Sequence, residues 1–476
     1  MTKAIIICDL GLGDGGKGTI VDFLTRKLHA DLIVRHNGGP QAAHNVVNSG
    51  GIGHCFASFG SGMLVPGTKT LLSSKMLISP DAFLNEGEAL KTHGVADIFE
   101  RTFVGENCPI ITPWHTMVGQ LLELERGDRR HGSCGMGFGQ AVYDNDAGKA
   151  LLVRDLARPT KFIRAKLKNI FDAKRQIALG ILRRGVTNPN FAKMQDRFNY
   201  FMNERIVDNV YDRYHYFNWK MGRNVVLDQQ FLARDYNTII FEGAQGALLD
   251  REYGFAPYIT KSKTTYHNAK ALLNQSRTGA QMHKLGIIRA YGHRHGAGPF
   301  PTESRWLGSR LCDELNKENV WQGKFRIGWL DIIMLRYGAQ INDGVDSLCV
   351  TCLDQLSGLK EIKVCVSYKY LGSSKDVEKY FVTSRYFSGD LELTDIKRSF
   401  EGREEVARIL MDCKPNYITL PGWTIDHQPK NFEDLPENAK TFLQFLESKV
   451  ALGAPISIIS FGPQSDQKII VSDSLG

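Results

Sequence analysis

Residues 4–22 constrain this chain more than any other stretch. Ala4 to Cys8 is an unbroken apolar run, which suits a strand buried on both faces of a parallel sheet. From Thr19 onward, Ile20, Val21, Phe23, Leu24 and Leu28 return at about helical spacing. Between strand and helix lie Gly11, Gly13, Gly15, Gly16 and Gly18. Side chains that small let backbone N–H groups close on an anion at the N-terminus of the helix, and Lys17 adds a cation there. The pattern reads as a phosphate cradle; the plainer alternative is a glycine-rich turn that starts a helix.

Gly11 to Lys17 keeps the G-x-x-x-x-G-K spacing of a P-loop, but Gly18 stands where that pattern needs a hydroxyl for magnesium. Asp14 lies inside the loop instead. A phosphate pocket excludes a carboxylate unless that group holds Mg²⁺ or takes a proton.

Other features bound the function. Nine scattered cysteines, an odd number, argue against a disulfide framework and for a reducing cytoplasm. Cys349 and Cys352 sit in an apolar stretch and read as strand packing, not zinc. No apolar run is long enough to span a bilayer, and the N-terminus has no signal-peptide pattern, so no membrane partner is expected. A net charge of +8 is modest at 476 residues; it suits anionic small molecules and does not ask for nucleic acid. Much of the positive charge falls between about 154 and 235, in successive helical patterns that read as a solvated basic face.

Asp31 to Arg35 reads as a second strand running into a loop that carries His44, and this loop should open at the same carboxyl edge as the Asp14 loop. Residues 48–90 alternate short apolar runs with Gly, Ser and Pro, suggesting strands and tight connections. A second glycine cluster spans Gly132 to Asp144. Thr238–Phe241, Leu285–Ala290 and Ile456–Ile459 are further buried-type strands, each followed by a polar or glycine-rich loop. A late helix near Pro436 should bury Ala439, Phe442, Leu443, Leu446 and Val450. With no repeat and no long linker, the expectation is an α/β fold: one large domain over 1–476, a mainly parallel central sheet flanked by helices, and a basic helical subregion at about 154–235.

Six segments, in one order, carry a family resemblance: Gly13–Asp22, Arg35–His44, Glu242–Asp250, Gly296–Glu303, Gly328–Asp331 and Pro421–Trp423. In these the chain resembles the adenylosuccinate synthetases, from the first strand to Pro463. The resemblance implies a cytoplasmic, homodimeric ligase that joins the amino group of L-aspartate to C6 of IMP, using GTP and Mg²⁺. It places the general base on Asp14 and the acid on His44. Gly13, Gly15, Gly16, Lys17, Gly18 and Asn45 should hold the triphosphate, with Asp354, Ser460, Gly462 and Pro463 at its guanine. Asp14, Gln41, Cys134, Gln245 and Thr260 should meet the acceptor nucleotide, Lys324 and Arg326 the amine donor. Asp14 and the backbone carbonyl of Ala43 should hold the metal.

There are departures. Gly15 replaces the family's loop glutamate, Cys134 a threonine, Gln41 an asparagine, and Cys352 the lysine beside Asp354. Gly148 stands where one subunit normally sends an arginine into its neighbour. The donor loop, Val320 to Arg326, keeps only Lys324 and Arg326 of its basic run. Three readings therefore stay open: the standard synthetase, a paralogue with a modified purine nucleotide or another amine (and GTP or ATP as phosphate source), and an inactive nucleotide-binding regulator.

Overall fold

The computed structural model describes residues 1–51, 53–127, 131–311, 313, 321–386 and 389–472. The opening apolar run forms β1, Lys3–Asp9, and its Ala4, Ile5, Ile6 and Ile7 are fully buried. A strand closed on both faces belongs in the interior of a sheet. Among the described residues that sheet has ten strands, in the order Lys468–Ile470, Ile456–Ser460, Ser347–Thr351, Gln281–Arg289, β1, Thr238–Gly246, Leu32–Arg35, Lys69–Leu72, Thr102–Gly105, Val225–Val226. All neighbours run parallel except the edge pair Ile456–Ser460 and Lys468–Ile470.

The chain leaves β1 through α1, Lys17–Leu28, and returns as β2, Leu32–Arg35, on the far side of Thr238–Gly246. The carboxyl ends of these three strands therefore lie side by side, the place where open α/β sheets take their ligands. Ile20, Val21 and Leu24 of α1 pack with Ile5, Ile7, Ile33 and Ile240. Each such aliphatic side chain contributes about 1.5–3 kcal/mol on burial, so the helix N-terminus is pinned firmly over the sheet edge.

The basic stretch forms helices Thr160–Arg184, Pro189–Phe201 and Ile206–Met221. Ile163, Leu167 and Phe171 share a core with Val210, Tyr214 and Phe217. Two expectations need correction. Residues 80–92 are a helix, because Ser79 accepts from the Ala82 N–H and Pro80 sits at the first helical position. Val450 is exposed, since the late helix ends at Glu447; Ala439, Phe442, Leu443 and Leu446 are buried. A second sheet, of Leu330–Asp331, Glu361–Tyr370, Leu391–Ile396, Phe381–Arg385 and Cys413–Pro421, has no counterpart in the sequence reading.

Candidate active site

The glycine loop ends in Gly16, whose φ of 90° makes it a left-handed N-cap with no side-chain hydrogen bond. A helix start without a capping side chain keeps its first N–H groups for an anion. Lys17 is buried, and its Nζ lies 3.2 Å from Asp9 Oδ2. Asp9 is a residue that sequence reasoning missed. Its carboxylate also accepts from the Gly11 and Gly15 N–H groups, each at 2.8 Å. Burial pushes this carboxyl up, but Lys17, His293 and the two amides outweigh burial and hold it below the usual range. A Cβ on residue 15 would land on Asp9 Oδ2. Gly15 and Asp9 therefore go together: the second carboxylate of this loop comes from the strand end.

Asp14 adopts a left-handed backbone, φ 55°, as do Gln245 at 66° and Cys352 at 58°. Left-handed backbone costs a non-glycine residue about 1–3 kcal/mol, and such strain gathers at functional sites. Asp14 keeps a half-exposed side chain, 35% accessible, with Oδ2 3.9 Å from His295 Nδ1. Gln245 is the last residue but one of the strand Thr238–Gly246, beside Gly13, and its Oε1 is buried with no protein partner. Both polar atoms of the Gln41 side chain are likewise unpartnered. Buried amides are normally bonded, so these two are candidates to meet a ligand.

His44 begins the strand His44–Val47, with Asn45 next to it half-buried and Ala43 before it exposed. Its Nδ1 is 2.5 Å from Glu242 Oε1. Glu242 also accepts from Ser61, through both its N–H and its hydroxyl. Burial works against the Glu242 carboxylate, yet Arg35, His44 and Ser61 together bring it down to about 2. An ionised Glu242 can only accept, so His44 Nδ1 must be the donor and Nε2 faces away from the pair. Burial lowers the His44 imidazole and Glu242 opposes that shift. The backbone of His44 lies against Gly18: a Cβ there would stand 2.8 Å from His44 Cβ and 3.0 Å from its carbonyl carbon. The missing P-loop hydroxyl thus has a steric reason.

The remaining expected residues fall in two groups. Thr19 Oγ1 donates to the Pro463 carbonyl at 3.0 Å, so α1 carries the Ser460–Pro463 turn beside the loop. Lys468, brought down to about 8 by burial, donates to Gln464 and Gly462 carbonyls within that turn. Asp354 is half-buried and raised by burial, with Gln355 as its amide partner at 3.2 Å. On the other side three loops meet. Gly135 packs under the Trp321 ring, and Gly296 lies against the Gln322 carbonyl and near Gly132. Cys134 is half-buried in this group, and burial raises its thiol. Thr260 is half-buried, its N–H on the Leu249 carbonyl at 2.9 Å. Lys324 is exposed. Arg326 donates to the Gly296 and Gly298 carbonyls and to Glu303 Oε2 at 2.8 Å. Val320, the start of the donor loop, lies outside the described residues.

Magnesium needs only one or two carboxylates and fills its shell with phosphate and water. The half-exposed Asp14 carboxylate fits that sparse demand. No group of three His, Cys, Asp or Glu side chains suited to a metal occurs among the described residues, so substrate phosphates would have to complete the site. No helix among them is long and apolar enough to cross a membrane.

Next to the pair, His36 is buried with neither ring nitrogen partnered, and burial drives its imidazole down to about 3. The unfolded chain, near 6.5, then binds this proton first, so stability falls as pH drops from 6.5 towards 3, by about 1.4 kcal/mol per pH unit. His36→Gln should remove that slope. Denaturant unfolding at pH 7 and pH 5 should show the wild type losing about 2 kcal/mol more than the variant. Equal losses would mean that His36 is solvated.

A parallel sheet whose strand ends gather an uncapped helix N-terminus, a strained carboxylate and a carboxylate-held imidazole defines an α/β enzyme of the nucleotide-using class. The family model for adenylosuccinate synthetase matches residues 6–469. Adenylosuccinate synthetase 2 of Chromobacterium violaceum is 34% identical over the whole of both chains. The adenylosuccinate synthetase of Neisseria gonorrhoeae is 32% identical over 99% of each. Among solved structures, the fully ligated adenylosuccinate synthetase of Plasmodium falciparum has the same fold, with a TM-score of 0.80 over 98% of this chain and 99% of that one, at 24% identity. The succinoaminodeoxyadenylate synthetase of cyanophage S-2L, bound to dGMP and dATP, is more distant, with a TM-score of 0.52 at 15% identity over 100% and 97%. The chain belongs to the adenylosuccinate synthetase family and is a ligase of the kind that forms carbon–nitrogen bonds.

Proposed function

We propose that this protein condenses IMP with L-aspartate at the expense of GTP, giving adenylosuccinate, GDP and phosphate, as a homodimer. Family membership supports the reaction, and one observation carries the site: His44, locked by an ionised Glu242, stands against the helix start that follows Asp14. Asp14 takes the N1 proton of the purine, and the electron pair released lets the 6-oxygen attack the γ-phosphorus. The bond from that phosphorus to the bridging oxygen breaks, and His44 Nε2–H neutralises charge on the leaving diphosphate. A bound triphosphate favours the imidazolium this needs, with Glu242 behind it. The aspartate amine then adds at C6 and expels phosphate. Mg²⁺, held by Asp14 and the Ala43 carbonyl, would neutralise phosphate charge.

Phosphate release measured with each substrate omitted in turn tests this, with ATP in place of GTP as one arm. Release that ignores either IMP or an amine would sink the synthetase reading. Lys17→Ala should weaken triphosphate binding about tenfold by calorimetry, the worth of a charge-assisted contact. An unchanged affinity would confine Lys17 to pairing with Asp9. A second reading, another amine in place of aspartate, is favoured by Arg326, whose guanidinium is already engaged by Glu303 and two carbonyls. A panel of amines separates the two.

A further inference from the structure

Three successive carbonyls of the glycine loop are each held by a side chain from a neighbouring strand. His293 Nε2 bonds the carbonyl of Gly13, Arg289 Nε that of Asp14 at 2.7 Å, and Thr351 Oγ1 that of Gly15 at 2.8 Å. A trans peptide points its N–H opposite to its C=O. Anchoring carbonyls on the protein side therefore fixes how the whole loop faces its ligand. Of the three anchors, only Arg289 grips the residue that carries the carboxylate, and that residue has the left-handed backbone.

Arg289 is itself held from several directions. Its Nη1 donates to Tyr291 at 2.6 Å and to Asp313 Oδ2 at 2.8 Å. The guanidinium stands 5.4 Å from the ring of Tyr291 and 5.5 Å from that of Phe325. Both residues of the salt bridge are largely buried. Phe325 belongs to the donor loop, and Asp313 to the segment that leads into it. A buried guanidinium with its fork used on two sides has little freedom left. We infer that Arg289 is a positioning residue for Asp14, clamping its carbonyl so that the carboxylate meets the purine, and that Asp313 and Phe325 tie this clamp to the amine-donor side. The inference rests on the reading of Asp14 as the base.

The test is a kinetic cycle on the full-length protein with IMP, aspartate and GTP. Arg289→Gln should lower kcat by about tenfold to a hundredfold, the range expected when a reacting group is misplaced. Triphosphate affinity should stay within about twofold, because Gly16, Lys17 and Gly18 keep their own geometry. Arg289→Lys should recover much of the lost rate, since its ammonium reaches towards the same carbonyl and keeps a charge opposite Asp313. Placed on top of Asp14→Asn, Arg289→Gln should cost nothing further in kcat, because residues that act as a unit are not additive. An additive loss in the double variant, or wild-type turnover by Arg289→Gln, overturns the clamp while leaving Asp14 as the base. If Arg289→Gln fails to fold, Arg289→Lys carries the same cycle on melting-checked protein: its smaller loss must also vanish in the Asp14→Asn background. A wild-type protein that releases no phosphate with IMP and any amine of the panel overturns the base reading, and the clamp with it.

Discussion

Asp14→Asn should lower turnover by about two to four orders of magnitude, the usual worth of a general base. Triphosphate affinity should change by no more than a few-fold. The amide keeps the size of the side chain, and asparagine tolerates the left-handed backbone that Asp14 occupies at φ 55°. The anchors on the carbonyls of residues 13, 14 and 15 do not involve the carboxylate, so the loop should hold its shape. What disappears is the capacity to accept a proton. Steady-state kinetics beside calorimetric binding of GTP separates the two effects. Turnover near the wild-type value would remove Asp14 from the chemistry and with it the main support for the proposed mechanism.

The loop itself was legible because its message is local. An apolar run, five glycines and a helical repeat imply a strand, a turn and a helix between Ala4 and Leu28, and they form β1, the loop and α1. His44 was found from its place after a second strand. Asp9 and Glu242 were not found as site residues, for one physical reason. Asp9 ends a buried strand and Glu242 stands at the middle of another, just past its apolar half, and in both places sequence pattern sees only the edge of an apolar run. What gives them meaning is the loops that close on them: Lys17 and two amides of the glycine loop for Asp9, His44 and Ser61 for Glu242. A carboxylate ending a buried apolar run is the one signal available in advance, since burying it demands partners.

The donor side was the hardest to read. The departures of Val320–Arg326 from the family pattern were visible, but not where the remaining cations go. Arg326 spends its donors on the Gly296–Glu303 segment, and Arg294 bonds the Ala297 and Pro299 carbonyls in the same loop. Phe325 faces Arg289 instead of opening a cationic surface. Counting charges in a loop overestimates those free for a ligand, because glycine-rich backbone offers carbonyls that guanidinium groups satisfy first.

Gly18→Ser restores the P-loop pattern and should nevertheless cost about a hundredfold in turnover, the scale on which a misplacement of about 1 Å is felt. The new Cβ would lie 2.8 Å from His44 Cβ, closer than such atoms approach, and 3.0 Å from its carbonyl carbon, a tight contact. One neighbour is backbone and the other a Cβ that the backbone fixes, so a rotamer change cannot relieve the clash and His44 must move. Its Nδ1 sits 2.5 Å from a Glu242 carboxylate that Ser61 holds from two sides, leaving that partner unable to follow. The imidazole then loses either its orientation or its approach to the leaving group. Serine is a better helix former than glycine by about 0.5 kcal/mol, which opposes part of the strain, so the protein should still fold. Gly18→Ala should behave in the same way, which separates the steric effect from any new hydroxyl contact with magnesium. Kinetics of both variants, with melting temperatures to confirm folding, decide the matter. If both variants turn over like the wild type, His44 is not set by this contact; if only Gly18→Ala is impaired, the hydroxyl has found the metal and the loop works as a P-loop after all.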